Sequence, residues 1–149
     1  MVDVIGILKG LAGSFGACVC FALLFHMPRH CLLTASLTGM AGYGAYMAAM
    51  ALFNSAVGAN FIGALVVAVI AERLARAQKA PAVIFSLMGV VPLVPGAGLY
   101  RTMLSLVLRE YPQAVSIGVE TMLVAAGIAL AVAIVTVLTR ALRHRGTAA

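Results

Sequence analysis

The chain has 149 residues, of which 64% are hydrophobic and 9% charged. A soluble domain is roughly 45–50% apolar and about 25% charged, and the surface of one this long needs far more ionic side chains than ten Lys/Arg and four Asp/Glu supply. The net charge of +6 does not mark a nucleic-acid binder, because the basic residues sit in short clusters between apolar runs. The solvent that tolerates this composition is lipid. The expected fold is all-α: a polytopic membrane protein of about five transmembrane helices in a single domain over residues 1–149.

The first apolar segment covers residues 4–25. It lacks the basic start of a signal peptide, with Lys9 as the one basic residue near its beginning and an acidic Asp3. It stops at His26-Met27-Pro28-Arg29-His30 and not at a small-residue cleavage site, so a retained helix is expected. His26 and His30 read as interfacial. Cys18, Cys20 and Cys31 have neither disulfide-framework nor zinc spacing and read as free thiols acting as small hydrophobes.

The second segment covers 32–53 and the third 57–71, the latter short against the roughly 20 residues a span needs. No proline separates them, and Asn54-Ser55 predicts a tight hairpin. Gly10, Gly13 and Gly16 in the first segment, and Gly39, Gly42, Gly44 and Ala48 in the second, predict close helix contacts. Thr34, Ser36, Thr38, Tyr43, Tyr46 and Asn60 are polar groups that could line a path. Serine and threonine in membrane helices usually bond their own backbone, so Asn60 is the best of these.

The fourth segment covers 83–108 and the fifth 114–138, with Pro28, Pro81 and Pro112 in the connections. Arg29, the cluster Arg73, Arg76 and Lys79, and the cluster Arg140, Arg143 and Arg145 all fall on one side of five spans. Arg109 alone falls on the other. The positive-inside rule then puts the N-terminus outside and the C-terminus in the cytoplasm.

Two prolines interrupt the fourth segment at Pro92-Leu93-Val94-Pro95-Gly96. At 1.5 Å per residue this run lies about 14–20 Å from Val83, near the bilayer centre. Proline removes an amide donor and crowds the preceding turn, so the helix is expected to break between Val91 and Gly96. Non-helical backbone at that depth must be buried in protein or line a cavity. A second half-helix starting at Pro95 would offer the amides of Gly96, Ala97 and Gly98 to a carboxylate. The glycines would let a ligand approach the backbone, and Gly96→Val should then abolish function without preventing assembly. The plainer alternative is a kink that serves packing.

Arg101 and Glu120 lie at similar depth, roughly 10 Å inside the outer boundary. A charge in lipid is costly, so Arg101 and Glu120 are expected to pair; the alternative is that each snorkels outward separately. No paired carboxylates, Ser–His–Asp set, metal-ligand cluster or phosphate loop appears, so neither enzyme nor cofactor is expected.

The stretch AERLARAQKAPAVIF at residues 71–85, followed by Pro92-Leu93-Val94-Pro95-Gly96 and Tyr100-Arg101-Thr102-Met103, resembles the threonine/serine exporter family. More narrowly, it resembles the small membrane half, which is a separate subunit in many bacteria and the C-terminal half of one longer exporter in others. The match is close over residues 60–105 and general elsewhere. The resemblance implies an inner-membrane exporter working with a larger partner subunit. Family members are associated with efflux of threonine and serine, and some two-subunit members with succinate. Pro92, Pro95, Gly96 and Tyr100 are the matching motif positions. Arg101 departs from the aromatic or small residue that usually follows the tyrosine. An extra cation there would favour a dicarboxylate or pair with Glu120. A homo-oligomer, and a scaffold that only stabilises the larger subunit, remain open alternatives.

Overall fold

The computed structural model describes residues 4–146, with side chains from 5 to 141. Asp3 and the side chains of Arg143 and Arg145 lie outside the described residues. The described elements are all helices: α1 Val4–Leu24, α2 Arg29–Phe53, α3 Ala56–Gln78, α4 Ala82–Val90, a 3-10 turn Val91–Leu93, α5 Gly96–Val107 and α6 Tyr111–Gly146.

Polar residues at the helix ends set these boundaries. His26, Asn54, Lys79 and Arg109 each take a positive φ just past a helix. After three of them the next amide reaches back five residues: Met27 to Ala22 O, Ala80 to Ala75 O and Glu110 to Ser105 O, at 2.8–3.1 Å. These bonds satisfy carbonyls that the helix C-terminus leaves open. Pro28 and Pro81 then cap α2 and α4. Pro112 is not in a connection but is the second residue of α6, where a missing amide costs no helix bond. The Asn54-Ser55 hairpin forms as expected: Asn54 closes α2, and the Ser55 hydroxyl accepts from Gly58 N at 3.4 Å.

Among the described residues, three helices are long and apolar enough to cross a membrane: Ile5–Leu24, Ala56–Gln78 and Tyr111–Ala141. A fourth results if α4, the 3-10 turn and α5 are one span bent by 53°. The third segment is longer than its apolar core suggested, because α3 continues through Glu72, Arg73 and Arg76 to Gln78. Helix α2 has 25 residues, about 37 Å of length, but its glycines and hydroxyls keep it out of the strongly apolar set. Large apolar side chains cover the outside; Leu52, Val107 and Met122 are each more than 75% exposed. Outward-facing surface of this kind suits lipid and not water.

Helices α2 and α3 form the centre. They run antiparallel, with Gly42 beside Gly63 and with Gln78 Nε2 donating to Thr34 Oγ1 at 2.8 Å. A Cβ at Gly63 would stand 3.0 Å from the Gly42 carbonyl oxygen, so the absence of side chains sets the spacing of this pair. Gly39 and Gly10 are also contact positions, against Cys18 and Tyr43, whereas Gly13 and Gly16 meet nothing. Cys18 Sγ donates to Met88 O at 3.3 Å and ties α1 to α4. One buried cluster joins Ala22, Met27, Cys31, Ala35, Ala71, Phe85 and Met88. A second joins Ala64, Val67, Leu93, Val124, Ile128 and Ala131. Helix α5 packs chiefly on α6.

A cleft at the broken helix

The chain leaves helical geometry where the two prolines stand. Helix α4 ends at Val90, the 3-10 turn covers Val91–Leu93, Val94 is extended, and α5 begins at Gly96 with Pro95 as its N-cap. Proline thus sits one position earlier than a first-turn proline. The Gly96 amide is not free: it donates to Val94 O at 2.8 Å. The first ordinary helical bond of α5 runs from Leu99 N to Pro95 O at 3.1 Å. No side chain caps this end. The amides pointing out of the helix start are therefore those of Ala97 and Gly98.

The bend opens a cleft of about 460 Å³. Tyr43 and Tyr46 line it from α2, Ala56 and Asn60 from α3, and residues Pro92 to Pro95 from the break. Ala97, Gly98 and Arg101 contribute from α5, and Ile117, Glu120, Thr121 and Val124 from α6. Of the residues singled out from sequence, Pro92, Pro95, Ala97, Gly98, Arg101, Glu120 and Asn60 meet here. Gly96 and Tyr100 do not. A Cβ at Gly96 would find nothing within 4 Å, and Tyr100 is 67% exposed.

Each polar wall has a local cause. Asn60 is 8% exposed, and its Nδ2 donates to Ala56 O at 2.8 Å. That bond anchors the amide and leaves Oδ1 as an acceptor. Arg101 follows α5's first turn on the face shared with Gly98. The Thr121 hydroxyl donates to Ile117 O at 2.7 Å, and its side chain fills the space above Gly98. The Tyr43 and Tyr46 rings stand 5.7 Å apart and close the α2 side. Thr34, Ser36 and Thr38 lie elsewhere, and each hydroxyl donates to a carbonyl three or four residues back. Thr121 was not anticipated; its one sequence signal was adjacency to Glu120.

A cleft with one guanidinium, one carboxylate, an amide and a helix start can bind a small charged solute, but it has no nucleophile–base pair. The sequence model described as "Threonine/Serine exporter, ThrE" matches residues 10–138. The chain belongs to this exporter family. No solved structure matches it. Membership makes it a multi-pass membrane protein of transporter type, and the match runs from within α1 to within α6.

Gly98 lines this exporter's cleft, whereas Gly96 does not. A Cβ at Gly98 would overlap Thr121 Oγ1 and crowd the rest of that side chain. Gly98→Val is expected to lower efflux about tenfold or more by pushing α5 off α6 and filling the cleft. Gly96→Val, which meets open space, is expected to stay near wild type. Initial efflux rates at matched membrane abundance would check both.

Proposed function

We propose that this chain is one subunit of a two-part exporter that releases threonine or serine from the bacterial cytoplasm with a larger membrane subunit. The observation that carries the reading is that one cleft is lined by both a cation, Arg101, and an acid, Glu120. Arg101 and the α5 amides at Ala97 and Gly98 suit a carboxylate. Glu120 and the Asn60 Oδ1 suit an α-ammonium. An amino acid is the small solute that carries both groups. Succinate would bring a second carboxylate towards Glu120, so the dicarboxylate reading is the weaker one.

The bilayer arrangement follows the same reading. Helix α2 completes five spans, with α4, the 3-10 turn and α5 as one broken span. The N-terminus is outside and the C-terminus is cytoplasmic. Arg76, Lys79 and Arg140 line one cavity at a single end of the bundle, while Arg109 lies between α5 and α6 at the other. That distribution supports the orientation. Broken helices at the midplane are a recurring way to build secondary-transport sites, so an ion gradient is the proposed driving force.

The test is efflux of preloaded threonine, serine and succinate from cells without their own exporters. Threonine or serine efflux should rise only when both subunits are made. Faster release of succinate alone would replace the cargo. No change for any solute, with both proteins in the membrane, would leave this chain as a scaffold.

A further inference from the structure

A second cavity, of about 900 Å³, lies on the other side of the buried cluster formed by Leu93, Val124 and Ile128. Helices α3, α4 and α6 wall it. Its lining has two unlike parts. Arg76 and Lys79 come from the end of α3, and Arg140 comes from the last turns of α6, against the single acid Glu72. The remainder is largely apolar, including Leu87, Ile128 and Val132. Leu87 is 50% exposed, so the apolar part opens sideways to the surroundings of the bundle. Pro81 and Ala82, at the start of α4, put the basic part where the spans meet the interface.

We propose that this groove is a binding site for an anionic phospholipid. The phosphate sits among Arg76, Lys79 and Arg140, and one acyl chain lies along Leu87, Val132 and Ile128. Charge complementarity selects the occupant. Three cations facing one carboxylate favour a headgroup with net negative charge, and a zwitterionic lipid gains much less. Guanidinium groups also suit phosphate by bidentate donation. The apolar floor accounts for a chain attached to that headgroup, which a free phosphate or an amino acid would leave unused. The site is separate from the cleft at the broken helix and does not depend on the exporter's cargo.

The experiment uses purified full-length protein titrated with phosphatidylglycerol and with phosphatidylcholine of the same chains, with bound lipid counted by native mass spectrometry. Phosphatidylglycerol should bind preferentially. Arg76→Gln/Lys79→Gln/Arg140→Gln should weaken it by about tenfold to a hundredfold, because each basic residue near an anionic surface contributes roughly a fivefold factor. Arg73→Gln serves as the control, since Arg73 is exposed and does not line the groove. Ala129→Trp, which fills the apolar part, should weaken both lipids. Helical circular dichroism confirms that each variant is folded, and Arg140→Gln alone carries the test if the triple variant is not. Equal binding of the two lipids by wild type, or unchanged binding by the charge variants, overturns the proposal. Displacement of phosphatidylglycerol by millimolar threonine or succinate also overturns it and gives the groove to the solute path. Displacement by the purified larger subunit overturns it as well and makes it a protein-docking groove instead.

Discussion

Arg101→Gln is expected to lower efflux by about ten- to a hundredfold, the effect of removing one hydrogen bond to a charged group. Arg101 is the cation among the residues that line the cleft, and Glu120 is the acid. The two charges admit two roles, and a double-mutant cycle separates them. If Arg101 holds the solute carboxylate, Arg101→Gln and Glu120→Gln each reduce efflux and the double variant is at least as poor. If Arg101 serves only to neutralise Glu120, the double variant recovers, because no lone charge is left in the membrane. The cargo reading expects the first result. Arg101→Lys should retain part of the activity, since a point charge persists without the bidentate fork. Initial efflux rates at matched membrane abundance are the measurement, and recovery of the double variant to near wild type would sink the solute role.

Gly63→Val should instead damage the fold. A Cβ at this position stands 3.0 Å from the Gly42 carbonyl oxygen and 3.2 Å from both Leu93 Cδ2 and Tyr46 Cβ. The first of these contacts is backbone, which cannot rotate away. The branched side chain must therefore part α2 from α3 at the centre of the bundle. Overpacking of this kind costs about 1–3 kcal/mol. For a chain of this size that corresponds to a melting point lower by roughly 3–10 °C. Thermal unfolding in detergent, followed by circular dichroism at 222 nm, reads it directly. Gly13→Val is the matched control on α1, since a Cβ there meets nothing within 4 Å. Equal melting points for the two variants would mean that the α2–α3 contact does not set the packing distance.

The cleft was partly legible before the fold was known. Pro92 and Pro95 mark the break because proline chemistry is local: each lacks an amide donor wherever it stands. Arg101, Glu120 and Asn60 stand out because a charge or an amide in a lipid-facing sequence must find a partner or a cavity. Tyr43 and Tyr46 were visible only as polar residues without an assigned wall. Gly96 and Tyr100 belong to the most distinctive motif, yet they fall outside the cleft. The extended residue Val94 and the 53° bend change the rotational phase of α5 relative to α4. Helical periodicity carried across a break cannot say which side of the second half faces inward.

The sequence by itself determined the class, the break and the family. An apolar, charge-poor chain has lipid as its solvent, prolines interrupt helices locally, and the run from residue 71 to residue 103 carries the exporter resemblance. Tertiary structure alone decided which residues meet. It placed the Gly96 amide on Val94 O, Thr121 over Gly98, and residues from four helices around one cleft. It also set a basic, apolar-floored groove beyond the Leu93–Val124–Ile128 cluster. The physical reason is range: helix formation and breakage follow from neighbours within one or two turns. The facing of one helix to another depends on side-chain volumes brought together from distant segments.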